Sequence, residues 1–215
     1  DGDADIFFTH LSKVQLFQNQ GNGTFKDVTK VSGIVGKNDC DNTGAAWFDY
    51  NNDGFLDIYV VDWKGCNTNT LYKNNGNGTF LNVTKSVNIE TTVDMPGYNP
   101  FPFDFNKDGW MDLYVTNDLK TANQLFINNN GTSFTENAET YKVAIKFNDM
   151  GIAVGDYNKD GYFDFFISTI ANNSLLTGKS DSTFDEKATE MQVNKTGWSW
   201  GTTFGDFDLD GDEDL

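Results

Sequence analysis

An all-β chain of tandem, four-stranded antiparallel units is what this sequence predicts, and three observations predict it. The first is a nine-residue pattern, Asp-x-Asn/Asp-x-Asp-Gly-x-x-Asp, at 49–57, 104–112, 156–164 and 206–214. Its central aspartates, Asp53, Asp108, Asp160 and Asp210, are spaced 55, 52 and 50 residues apart. The second is the set of short runs that follow the pattern, apolar on both faces as in strands covered from both sides. The third is a series of Asn-Gly turns in phase with the pattern, each a strong hairpin signal. Repetition at this period marks a row of supersecondary units that bury surface against their neighbours.

The elements of one unit follow in order. A short strand precedes the loop, as in Ala45-Ala46-Trp47-Phe48 or Ile152-Ala153-Val154. After the loop come Ile58-Tyr59-Val60-Val61, Leu113-Tyr114-Val115 and Phe165-Phe166-Ile167, with Ile6-Phe7-Phe8 in an earlier copy whose last positions are Asp1, Gly2 and Asp5. The third strand carries Leu16-Phe17, Leu71-Tyr72, Leu125-Phe126 or Leu175-Leu176. A polar turn and a fourth strand opening on Phe25, Phe80, Phe134 or Phe184 complete the unit. Four antiparallel strands in about 50 residues make one blade of a β-propeller. Turn density excludes a helical solenoid, no paired glycines recur as in kelch blades, and no Trp-Asp ending stands at matching positions. The segments 32–43, 85–99, 138–149 and 188–198 read as connectors between blades. Asn99-Pro100-Phe101-Pro102 departs from the pattern, and its prolines predict an edge or bulged strand. The whole chain, 1–215, reads as such repeats, with partial blades at both termini. It opens inside a motif and is expected to be a segment of a longer protein and of a larger propeller.

The repeats resemble the FG-GAP/VCBS family, the calcium-loop blades also found in integrin alpha chains. Phe204-Gly205 matches the family's Phe-Gly, and Val154-Gly155 is a close variant. Met150-Gly151-Ile152-Ala153-Val154-Gly155-Asp156-Tyr157, Asn123-Gln124-Leu125-Phe126 and Trp198-Ser199-Trp200-Gly201 are most similar to the cartilage acidic protein (ASPIC/UnbV-type) branch. The resemblance implies calcium ions that tie strand to strand.

The loop chemistry points the same way. Calcium takes six to eight hard oxygens, and carboxylates or amides at positions 1, 3, 5 and 9 supply them. Position 7 adds a backbone carbonyl, and glycine at position 6 allows the sharp turn. The candidate ligands are Asp49, Asn51, Asp53, Phe55 and Asp57; Asp104, Asn106, Asp108, Trp110 and Asp112; Asp156, Asn158, Asp160, Tyr162 and Asp164; and Asp206, Asp208, Asp210, Asp212 and Asp214. An EF-hand needs Glu at position 12, where these loops have Val60, Val115 or Ile167 inside a strand. Magnesium fits less well, since it holds its waters in strict octahedra. Turn propensity alone accounts for an Asn-Gly pair but not for a nine-residue pattern in four registers. The Asp206 loop has the most charge and the least structure after it, and is expected to be the weakest site.

Composition narrows the function further. The formal net charge is −17, from 32 acidic and 15 basic residues, and every basic residue is lysine. Nucleic-acid phosphates would be repelled and would meet no guanidinium fork, so no nucleic-acid partner is expected. No stretch approaches the roughly 20 apolar residues of a membrane helix, so no membrane insertion is expected. His10 is the lone histidine, at a strand end, and no nucleophile elbow, zinc-protease or phosphate-loop motif occurs. Glu90, Glu136, Glu139, Glu186 and Glu190 fall in turns and connectors without a shared frame. The chain is therefore read as a non-enzymatic, extracellular or cell-surface platform for a protein or glycan ligand. The alternative is the propeller portion of a secreted calcium-dependent enzyme such as a polysaccharide lyase or phospholipase. Trp47, Trp63, Trp110, Trp198 and Trp200 read as packing between blades, Trp63 being the best candidate for an exposed ring. Six Asn-x-Ser/Thr sequons, at Asn22, Asn77, Asn82, Asn130, Asn172 and Asn194, could accept glycans, but three of them coincide with hairpin turns that want Asn-Gly anyway. Cys40 and Cys66, reflected through Asp53 in an antiparallel hairpin, are expected to form a disulfide of an oxidising compartment.

Overall fold

The computed structural model describes residues 2–36, 40–64, 68–91 and 95–215. Among these residues the strands form four antiparallel sheets, each in simple up-and-down order. The first holds β1 (Ile6–His10), β2 (Lys13–Asn19) and β3 (Phe25–Asp27). The second holds β4 (Asn42–Phe48), β5 (Asp57–Asp62), β6 (Thr70–Asn74) and β7 (Phe80–Asn82). The third holds β8 (Gly97–Phe103), β9 (Asp112–Asn117), β10 (Gln124–Asn128) and β11 (Phe134–Glu136). After a single helical turn, α1 (Ala138–Tyr141), the fourth holds β12 (Asp149–Gly155), β13 (Asp164–Thr169), β14 (Ser174–Gly178) and β15 (Phe184–Glu186). The all-β, blade-like architecture matches the sequence reading, and the fourth strands open on the four phenylalanines that reading named.

The cores lie between sheets rather than inside any one of them. Val14, Leu16 and Ile34 of the first unit pack with Ile58, Val60 and Tyr72 of the second. Tyr59, Val61 and Leu71 of the second meet Leu113, Val115 and Phe126 of the third. Tyr114 and Leu125 of the third meet Phe165, Ile167 and Phe184 of the fourth, with the Phe165 and Phe184 rings 4.8 Å apart. The second strands are buried along their whole length because both of their faces are covered, which is why they read as unbroken apolar runs.

Two expectations change in detail. The strand over 97–103 is indeed an edge strand, pairing only with β9. Pro100 and Pro102 stand two apart, so both missing N–H groups face the same, open side. The bulge, however, does not come from the prolines. Register shifts occur at the same place in β4, β8 and β12, between Asn42 and Gly44, Gly97 and Asn99, and Asp149 and Ile152. These strands also begin inside the segments read as connectors.

The second detail is the mirror used to pair the cysteines. Reflection through Asp53 places Phe48 opposite Ile58, whereas Phe48 pairs with Asp57, and beyond the bulge Asn42 pairs with Asp62 rather than Lys64. The register is thus offset by one residue and then by two. Cys40 is buried and disulfide-bonded. Its expected partner, Cys66, lies outside the described residues.

Candidate metal centres

Each aspartate loop folds on itself through hydrogen bonds among its own nine residues. In the second loop Asp108 N–H donates to Asp104 Oδ1 and Asn106 Oδ1, both at 3.0 Å, and Gly109 N–H donates to Asp104 Oδ2 at 2.9 Å. Trp110 N–H donates to Asp108 Oδ1 at 2.9 Å, and Asn106 Nδ2 to Asp108 Oδ2 at 2.9 Å. The backbone N–H bonds recur with the same donors and acceptors in the first loop, the third and the fourth. Position 6 is glycine at φ between 86° and 91° in all four, a left-handed region open to it without a Cβ clash.

The residues at positions 1, 3 and 5 therefore converge in every loop. In the fourth, carboxylate oxygens of Asp206, Asp208 and Asp210 all lie within 4.8 Å of one another. This donor set consists of oxygen alone, without nitrogen or sulfur, which fits a hard divalent cation of calcium's kind.

Position 9 has a second duty. Asp112 Oδ2 accepts Phe105 N–H at 3.0 Å and Asp112 Oδ1 accepts Asn128 N–H at 2.7 Å, so the carboxylate joins the loop to the third strand. Asp57 does the same for Tyr50 and Asn74. Asp164 accepts Gly178 N–H at 2.9 Å, and Asp5 accepts Asn19 N–H at 2.8 Å in the first unit. Burial pushes the carboxyls of Asp57, Asp112 and Asp164 up to about 6, although the backbone N–H groups pull the other way. Asp214 accepts Phe207 N–H at 3.1 Å but is exposed.

Sequence reading missed several supporting residues. Asn74 and Asn128 donate from Nδ2 to the position-8 carbonyls of Leu56 and Met111, at 3.0 and 2.9 Å, and Asn19 donates likewise to Ala4. Their signal was an Asn ending the third strand of each of the first three units. The fourth unit has Gly178 there, and a Cβ on it would come within 2.3 Å of the Phe163 carbonyl. Position 4 is left-handed in all four loops, with Asn52, Lys107, Lys159 and Leu209 at φ 52° to 63°. No pattern in residue type betrays that.

Glu136 and Glu186, read as lacking a shared frame, occupy the same position in their sheets. Each Oε1 accepts two backbone N–H groups, from Leu125 and Ala138 or from Leu175 and Ala188. Among the tryptophans, Trp47 packs between the first two sheets. Trp63 donates from Nε1 to Asp118 Oδ2 at 2.9 Å, tying the second unit to the third. The exposed rings are Trp198 and Trp200, stacked 5.6 Å apart.

The chain matches the FG-GAP-like repeat over residues 1–60, 49–115 and 104–167. It is 27% identical over 165 residues to cartilage acidic protein 1 of Xenopus tropicalis, covering 71% of this chain and 24% of that protein. The chain thus spans about a quarter of the length of that relative. Repeats matched in three overlapping registers, on sheets of the expected strand order, place this chain in the FG-GAP-like repeat family.

Proposed function

We propose that this chain is a calcium-stabilised, extracellular or cell-surface platform of propeller blades that presents a rigid surface to a protein or glycan ligand, without catalysis of its own. The observation that carries the reading is the repeated loop geometry, in which positions 1, 3 and 5 turn oxygen donors together in each of four loops. Like charges about 4 Å apart repel by roughly 1 kcal/mol in water and about 4 kcal/mol at an effective dielectric of 20. A bound dication would relieve that repulsion and hold the two strands that flank each loop. The name of the relative, a cartilage acidic protein, supports an extracellular setting, as does the disulfide at Cys40.

The test is thermal melting with excess calcium, with magnesium and with chelator, alongside calorimetric counting of sites. Each filled site adds about 2.7 kcal/mol of stability at a hundredfold excess of calcium over its Kd. The melting temperature should fall in chelator and recover with calcium more than with magnesium. A chain that melts identically in chelator and binds no calcium overturns the reading.

A further inference from the structure

The four loops touch one another through the position whose backbone is left-handed. Asn52, at position 4 of the first loop, donates from Nδ2 to the carbonyl of Gly109, position 6 of the second, at 3.1 Å. Lys107, at position 4 of the second loop, donates from Nζ to the carbonyl of Gly161, position 6 of the third, at 2.8 Å. Lys159, at position 4 of the third loop, pairs with the carboxylate of Asp212 at position 7 of the fourth. The partners lie more than 50 residues apart in the chain, yet the contact repeats in step with the blades.

What each link grips is informative. The Gly109 carbonyl and the Trp110 N–H belong to one peptide group. Asn52 holds its oxygen, and its N–H donates to Asp108 Oδ1, a proposed calcium ligand. Lys107 and Asp160 hold the Gly161–Tyr162 peptide in the same way. A donor on the carbonyl polarises the peptide and strengthens the bond made by its N–H. It also fixes the plane from which that N–H aims at the carboxylate. Each donor stands on a left-handed residue, Asn52, Lys107 or Lys159. The first loop receives no such donor among the described residues, and Lys73 lies on Asp53 Oδ2 at 3.0 Å instead.

We infer that the position-4 side chains are positioning residues for the next blade's metal centre, so that Asn52 tunes the loop of Asp104–Asp112 and Lys107 that of Asp156–Asp164. The inference rests on the calcium reading for its metal readout, while the link itself can be measured without metal.

Terbium, a hard cation that reports on calcium sites by luminescence, resolves the second loop because position 7 there is Trp110. Emission sensitised by excitation of that ring should disappear in Trp110→Phe. In Asn52→Gly, which removes the donor and relieves the left-handed backbone, the terbium midpoint of the second loop should weaken roughly tenfold, the low end of what losing an outer-shell partner costs. Asn52→Lys, which restores a donor of the kind found at 107 and 159, should recover it. A reporter carrying Tyr162→Trp and Trp110→Phe reads the third loop, whose donor is Lys107 rather than Asn52, and which should be unchanged by Asn52→Gly. In chelator, the Trp110 amide should exchange with solvent faster in Asn52→Gly than in the wild type. Equal amide exchange, no recovery with Asn52→Lys, or an equal shift in both loops overturns the link. No terbium emission from the wild type overturns the calcium reading and with it the tuning role, even where the amide shows the contact.

Discussion

The loops of Asp104–Asp112 and Asp206–Asp214 have the same internal hydrogen bonds and differ in what surrounds them. In the first, position 9 is fully buried and fastened to a third strand through Asn128. In the second, Asp214 is exposed, and the flanking chain makes only an isolated bridge, Gly205 to Asp214. One Lys or Asn from the preceding loop reaches each of them. The loop fold is therefore a local property of nine residues, whereas the embedding of position 9 belongs to the blade. A loop of the first kind resists opening through its strands.

The largest expected effect separates these two cases. Asp112→Asn keeps the size of the side chain but replaces one acceptor oxygen with a donor facing a buried backbone N–H. It should destabilise the metal-free chain by about 1–3 kcal/mol, as for a buried group left without its partner. Asp214→Asn, at an exposed position, should stay within about 0.5 kcal/mol. Urea unfolding of both variants in chelator measures the contrast. Equal losses would break it, and would make position 9 a loop residue rather than a blade residue.

A second expectation concerns a buried acid outside the loops. Asp149, on β12, accepts Asn123 Nδ2 at 2.7 Å, and burial pushes its carboxyl up to about 7, with Asp118 adding to the rise. Trp63 Nε1 and the Leu119 N–H donate to Asp118. A folded pKa above the unfolded value near 4 favours the protonated form in the folded state. The stabilising contribution is therefore full below the unfolded pKa and is lost as pH rises through about 7. Asp149→Asn, whose amide oxygen still accepts from Asn123, should melt higher than the wild type at pH 8 and by a smaller margin at pH 5. A difference that does not depend on pH would remove Asp149 from the account.

The smallest effect sharpens the comparison within the loops. Lys73 forms an ion pair with Asp53 in the first loop only, among the described residues. Lys73→Gln should tighten cation binding at that loop by roughly two- to fivefold, the scale of a part-exposed pair. Terbium titration of a reporter carrying Phe55→Trp and Trp110→Phe reads the first loop directly, and an unchanged midpoint shows that the ammonium yields its place freely.

Blade chemistry shows why part of this was legible and part was not. The second and third units solve one problem in two ways: the N–H of the first Leu in the third strand needs an acceptor. In the second unit Thr84 Oγ1 supplies it to Leu71, held in place by Asn82, and Thr29 with Asp27 does so for Leu16. In the third, Glu136 spans the same gap unaided to reach Leu125. Asn-x-Thr and Glu-x-Ala share no residue type, so alignment by residue identity hides their equivalence. The repeated leucines, phenylalanines and aspartates kept their types, and those were the elements the sequence revealed.

Strand order, loop pattern and the turn at position 6 follow from the sequence by itself, because each depends on residues within a few positions of one another and on the two-residue period of a strand. The tertiary structure alone decided the bulge that offsets β4 against β5, the burial of Asp57, Asp112 and Asp164, and the reach of Asn52 and Lys107 into the next loop. Those features depend on the angle and distance at which neighbouring sheets pack. That geometry is set by how Tyr59, Tyr114, Phe165 and their partners fill the space between blades, a property of volumes brought together across 50 residues rather than of any local pattern.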